Sequence, residues 1–418
     1  MQYRQLVKGG DNLSILGYGC MRFPSKNGRI NEELTDEQMW YAFEKGVNYF
    51  DTAYPYHGGK SEVMLGKFIK KHDIRNKVFI ANKMPTFLIK KPEQFETFFN
   101  TQLERLDTDY IDYYLMHALG SLAGWEKLKA LGALEFIEEK KKAGKIRYIG
   151  FSFHGKGEEF KKIIDDYNWD FCQIQYNYLD ETNQAGTAGL EYAYEKGVGV
   201  VVMEPLRGGN LASKAPTKVK EKIEHFEPKR SPAFWALRWI FNHKEVSVVL
   251  SGMNNLDHIK DNIYCAKNTS PNSMTEEELH LISDIKEVYK ELMKVSCTGC
   301  NYCMPCPFNV DIPGIFSDYN SNSFFGGMMP KAFYIQKLLG MGTAKSGADL
   351  CVACGKCMTH CPQGIQIPTQ LKEADKALGK KYLVYPIKLG MKLFSKKKKV
   401  KIKSSKKTEE KTEEQTKE

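Results

Sequence analysis

Short apolar runs rich in β-branched residues recur through the first 270 positions, at 15–20, 47–53, 78–84, 110–117, 146–152, 171–177, 198–204 and 246–251. Within each run apolar side chains follow one another instead of alternating with polar ones. That is the pattern of strands buried on both faces of a parallel sheet. Charged segments of helical period separate them, such as 36–45, 61–71, 92–106 and 134–142. Eight strand-then-helix units within about 250 residues predict an α/β fold, a closed (β/α)8 TIM barrel over residues 1–270. An open doubly wound sheet fits the count less well.

Beyond the barrel the apolar pattern is helical: residues 275–293 fill most of a connector at 271–295, and helix-like stretches follow at 330–339 and 365–379. Between these helices lie eight of the eleven cysteines, in two runs each closed by Cys-Pro. The first is Cys297-x2-Cys300-x2-Cys303-x2-Cys306-Pro307, and the second is Cys351-x2-Cys354-x2-Cys357-x3-Cys361-Pro362. A tight C-x2-C-x2-C loop offers three thiolates to one cubane, and the distant fourth cysteine ligates the other cluster. The spacing therefore predicts two [4Fe-4S] clusters, one on Cys297, Cys300, Cys303 and Cys361, the other on Cys351, Cys354, Cys357 and Cys306. A zinc site explains one C-x2-C pair set but not two four-cysteine runs. A disulfide scaffold needs an oxidising compartment, and no apolar core follows the first residues as in a secretory signal. Cys20, Cys172 and Cys265 stand alone and read as small buried hydrophobes.

Charge adds little to the body of the chain. Residues 376–418 hold fifteen lysines and five glutamates, which accounts for the whole net charge of +10. Such a tail buries too little apolar surface to fold and is expected to be disordered. Its apolar start, 382–394, could lie on a bilayer beside the lysines, but a solvated tail is the favoured reading. No nucleic-acid-binding fold accompanies the charge. No apolar stretch reaches the roughly 18 residues of a spanning helix, so the expected location is cytoplasmic.

The strand ends carry the chemistry. Asp51 and Tyr56 follow the second run, Lys83 ends the third and His117 the fourth. An acid, a phenol, an amine and an imidazole at successive barrel strand ends form a group able to transfer protons. In order, spacing and position these four match the catalytic tetrad of the aldo/keto reductase superfamily. Gly17-Tyr18-Gly19, Ser61-Glu62 and Ile149-Gly150-Phe151-Ser152 resemble that family too, and with the cysteine runs the chain resembles its members carrying a fused 4Fe-4S ferredoxin-type domain. The resemblance spans about residues 1–370. It implies that Tyr56 is the general acid, that Lys83 lowers the phenol's pKa, that Asp51 pairs with Lys83 and that His117 orients a carbonyl. It also implies a small, mainly α-helical ferredoxin-like dicluster domain over 296–375.

By the same resemblance NADP or NAD is the cofactor, with Ser152 and Gln173 at the carboxamide, Met203 on the ring and the loop from Gly252 to Asn262 at the adenosine phosphate. Phe153 replaces a usual asparagine, and Gly252 and His258 replace usual cations, so modest discrimination between the two nucleotides is expected. The expected activity is carbonyl/alcohol interconversion on a small molecule. The alternative is an iron–sulfur electron-transfer protein with a nucleotide-binding barrel and a redox partner protein. Nicotinamide moves two electrons and each cluster one; flavin is the usual converter, and the sequence gives no signal for it.

Overall fold

The computed structural model describes residues 1–387 apart from 156, 298, 300–302, 342, 343, 362 and 381. Cys300 and the lysine-rich tail from 388 onward lie outside the described residues. The chain divides into two compact units, Met1–Val288 and the remainder from Tyr289.

The first unit is a closed ring of eight parallel strands. They are β1 (Leu16–Gly19), β2 (Tyr49–Asp51), β3 (Phe79–Met84), β4 (Ile111–Leu119), β5 (Ile146–Phe153), β6 (Phe171–Gln175), β7 (Gly199–Met203) and β8 (Val248–Ser251). Each pairs with the next, and β8 closes on β1 with Leu250 opposite Gly17. Gly17 is needed there, because a Cβ would stand 2.8 Å from Leu250 Cδ2 and 2.9 Å from Val248 Cγ1. Helices α1 (Glu32–Glu44), α2 (Lys60–His72) and α3 (Glu93–Leu106) follow β1, β2 and β3. Two helices, α4 (Leu122–Ala130) and α5 (Ala133–Lys142), follow β4, and α6 (Gly157–Asp166) and α7 (Gly186–Glu195) follow β5 and β6. The turns after β7 and β8 lead to α8 (Thr217–Glu224), α9 (Pro232–Phe241) and α10 (Leu256–Lys267), and most of α11 (Glu276–Glu291) belongs to the same unit.

The apolar pattern did not announce every element. A hairpin of Tyr3–Gln5 with Asn12–Ser14 precedes β1, too short and too polar to read as strands. Its Leu6 and Leu13 join Tyr49, Tyr113, Phe171 and Val248 in one buried cluster inside the ring. The hairpin thus helps to fill the end of the barrel where the strands begin. Polar side chains are left to the opposite end, where the strands finish.

The second unit is mainly helical, with α12 (Ile312–Phe325), α13 (Met329–Leu339) and α14 (Ile367–Leu378) around a core that includes Ile315, Phe316, Tyr334, Ile335 and Leu371. Helix α12 holds the chain just before Cys297: Asn320 accepts from Val295 N at 3.0 Å and donates to Val295 O at 2.7 Å. Folded chain extends past the point where the tail was expected to begin, since α14 runs through Leu378 and Val384 is buried in the same core.

Candidate active site

The barrel brings the sequence-predicted residues to one end of the ring. Asp51 ends β2, Lys83 and His117 lie near the ends of β3 and β4, and Tyr56 sits in the turn after β2. Lys83 Nζ donates to Asp51 Oδ1 at 2.6 Å, to Oδ2 at 2.7 Å and to Thr52 O at 2.7 Å. These three acceptors match the three ammonium protons. Tyr56 lies above the pair, with Lys83 Nζ 5.5 Å from its ring centroid. His117 meets Tyr56 edge to face, centroids 6.3 Å apart and planes at 83°. Phe87 also meets the imidazole edge to face, centroids 5.8 Å apart.

Burial sets the protonation states. It raises the Tyr56 phenol above its ordinary value, and the Asp51 carboxylate adds to the rise. This is opposite to the lowering expected from Lys83, whose ammonium is neutralised and hydrogen-bonded by Asp51 and Thr52. Burial also lowers the His117 imidazole to about 3, with the Lys83 cation acting the same way. At neutral pH the two rings are therefore a protonated phenol and a neutral imidazole. His117 Nδ1 is buried and has no partner among the described residues.

A second buried network, of which the sequence flagged only Ser61-Glu62, holds the backbone of Lys83. Asn82 Oδ1 accepts from Lys83 N at 2.8 Å, and Gln102 Nε2 donates to Lys83 O at 2.9 Å. Both amides also donate to Glu62 Oε1, at 2.9 and 3.1 Å, while Arg105 Nη1 donates to Oε2 at 2.8 Å. Gln102 and Arg105 belong to α3, where their spacing reads as an ordinary polar face. No signal in the sequence separates them from surface residues.

Across the ring, Ser152 and Gln173 are register partners on β5 and β6. Ser152 Oγ accepts from Ala118 N at 2.7 Å and keeps its own proton to donate. Gln173 Nε2 donates to Met203 Sδ at 3.4 Å, whereas its Oε1 is buried with no partner among the described residues. Asn262 is buried and turned back, its amide donated to Ser251 Oγ at 2.8 Å. Gly252 is covered by Arg22, whose Cδ lies 3.2 Å from where a Cβ would stand; Arg22 Nη2 is equally close, 3.2 Å, to that point on Gly208 after β7. Among the described residues Arg22 has no ion-pair partner. Arg207 is engaged, its Nε 3.1 Å from Asp180 Oδ2.

In the second unit Cys306, Cys351, Cys354 and Cys357 line one cavity of about 310 Å³ together with Cys303. Cys297 and Cys361 pack against the same core. Cys20, Cys172 and Cys265 are buried. Among the described residues no three cysteine, histidine or carboxylate groups converge at single-ion distance. The C-x2-C spacing of the two runs is the one that serves a polynuclear core.

Comparison with known proteins places this geometry. Residues 15–280 match the aldo/keto reductase family, and residues 296–365 match the 4Fe-4S dicluster domain. The chain is 27% identical over 292 residues to a probable aldo-keto reductase of Glycine max, covering 61% of this chain and 81% of that protein. It is 27% identical over 313 residues to L-galactose dehydrogenase of Arabidopsis thaliana, covering 70% and 96%. Among solved structures it resembles the holo form of an aldo-keto reductase from Bacillus halodurans at 26% identity and a TM-score of 0.57, covering 68% of this chain and 96% of that one. The family match spans more than half of the chain, so this protein belongs to the aldo/keto reductase family, as an oxidoreductase bearing a C-terminal 4Fe-4S dicluster domain.

Proposed function

We propose that the barrel interconverts a small carbonyl compound and its alcohol with a nicotinamide dinucleotide, and that Tyr56 is the proton donor. The observation that carries this reading is the pairing of a protonated phenol with a neutral imidazole above a buried lysine–aspartate pair. When bound, the nicotinamide supplies or accepts a hydride. In the reducing direction Tyr56 O–H gives its proton to the carbonyl oxygen, whose π bond opens to form the alcohol. The phenolate left behind is stabilised by Lys83, which Asp51 holds in place. His117, uncharged, donates a hydrogen bond to the same oxygen and so fixes the carbonyl's orientation.

The residues fit the cofactor. A carboxamide presents an N–H pair and a carbonyl, and the site presents an unpartnered acceptor on Gln173 and a hydroxyl proton on Ser152. Met203 offers a polarizable face to the ring. Arg22 lies across the turns after β7 and β8, the part of such barrels that commonly binds phosphate. A relative from Schizosaccharomyces pombe, 27% identical, is named as an NADP(+) aldo-keto reductase.

In the second unit we assign one [4Fe-4S] cluster to Cys306, Cys351, Cys354 and Cys357, and a second to Cys297, Cys300, Cys303 and Cys361. Thiolates at these positions would hold each cubane, which supplies one-electron chemistry. The exposure of Cys354 favours exchange of electrons with a redox partner over a purely structural role.

Tyr56→Phe tests the barrel assignment, because it removes one hydroxyl and keeps the ring. General acid catalysis contributes about 10²–10⁴-fold, so turnover should fall by that factor while nucleotide binding and iron content hold. Unchanged turnover would refute the assignment.

A further inference from the structure

The loops that carry the cysteines are peculiar in charge as well as in sulfur. Residues 296–310 and 350–366 contain no aspartate or glutamate, and Lys356 is their only lysine or arginine. Lys356 lines the same cavity as Cys306, Cys351, Cys354 and Cys357, and among the described residues it has no ion-pair partner. Of these four thiols Cys354 is the exposed one. Two apolar side chains that also line the cavity are open to water, Val352 at 57% and Phe308 at 41% exposure, and Met358 beside them is 36% exposed.

Exposed apolar side chains gathered in one place mark an interaction site. A depletion of acidic residues with an apolar centre is the composition of a protein interface core. A cluster serving only to staple the fold would gain from having this edge covered by the chain's own apolar residues. Among the described residues the edge is open, beside one cation without an ion-pair partner there, in a segment, residues 289–387, that holds ten lysines against six carboxylates. Complementarity then selects a partner of opposite sign.

We propose that this face is a docking port for an acidic one-electron carrier protein, which exchanges electrons with the cluster on Cys306, Cys351, Cys354 and Cys357. The inference rests on the reading of those cysteines as a [4Fe-4S] site. In the reducing direction the carrier's centre is oxidised by one electron and the cluster is reduced by one. No bond is made or broken and no proton moves. The port is small, as suits a transient electron-transfer encounter.

The test uses the full chain, reconstituted anaerobically, and a reduced acidic two-cluster ferredoxin as the carrier. Stopped-flow bleaching of the clusters gives the electron-transfer rate. Anisotropy of the labelled, oxidised ferredoxin gives affinity without any turnover. The rate should fall steeply with added salt, and Lys356→Glu and Val352→Asp should each slow transfer and weaken binding about tenfold or more. Iron content and the rate of reduction by dithionite should stay at wild-type values in both variants. Salt-independent rates, or variants that accept electrons and bind like wild type, would overturn the proposal. So would wild-type self-association that Val352→Asp abolishes, because the face would then belong to a second copy of the chain. Wild-type protein without acid-labile sulfide after reconstitution would remove the underlying cluster assignment as well, and is read separately from the transfer rates.

Discussion

Lys83 and Asp51 form a closed pair: Nζ lies 2.6 and 2.7 Å from the two carboxylate oxygens, and the side chains are 1% and 4% exposed. Neither charge has water to fall back on. Burial alone pushes the Asp51 carboxyl up towards its neutral form, and Lys83 pulls it back. The pair is therefore a unit whose halves are stable only together.

Asp51→Asn should be strongly destabilising, since it leaves a buried ammonium without a counter-charge. Breaking a buried pair from one side costs about 3–5 kcal/mol, read from the midpoint of urea unfolding. Adding Lys83→Met to Asp51→Asn should return much of that loss, because the orphaned charge is gone. Two additive losses would contradict a closed pair.

Acid should weaken the fold through His117. Its folded imidazole titrates near 3, while an unfolded one titrates near 6.5. Between those values the unfolded chain binds the extra proton, so this contribution is intact above about pH 6.5 and falls away as pH drops towards 3. The slope is at most about 1.4 kcal/mol per pH unit for one proton. Stability curves of His117→Leu should be flatter than wild type by up to this slope across that window, and parallel curves would refute the shift.

Arg22 should act on the dinucleotide's shared diphosphate, because it lies at the first residues after β7 and β8. Arg22→Gln should weaken NADH and NADPH alike, by about tenfold for the loss of a charge-assisted hydrogen bond. Fluorescence titration measures both. A loss confined to NADPH would move Arg22 to the 2′-phosphate, and no loss for either would remove it from the site.

Reconstituted wild type should carry about eight iron and eight sulfide, as two cubanes require. Cys306→Ser should lose about half of the iron, because Cys306 is the distant cysteine assigned to the cluster on Cys351, Cys354 and Cys357. Full retention would place the fourth ligand elsewhere.

The barrel was legible because fully buried parallel strands leave uninterrupted apolar runs. The observed strands fall within a residue or two of those runs, as with β5 at Ile146–Phe153 against 146–152. Asp51, Tyr56, Lys83 and His117 were legible because each stands where such a run ends. What stayed hidden depends on contacts between distant segments. Arg22 reaching over Gly252, and Gln102 reaching back to the carbonyl of Lys83, are products of ring closure and leave no local pattern. The N-terminal hairpin was missed because its stability comes from Leu6 and Leu13 packing inside the ring, not from strand propensity.

Ring closure also fixes when the molecule becomes a barrel. Asp51, Tyr56, Lys83 and His117 are all synthesised in the first third of the chain, yet β1 finds its last neighbour only when Leu250 pairs with Gly17. Until the ribosome has released β8, β1 and β7 are bare edges, open to pairing with any other extended chain. Contacts this far apart in sequence form slowly. A message cut short before codon 248 would thus encode every member of the tetrad and still yield an adhesive open sheet, a substrate for proteases and chaperones.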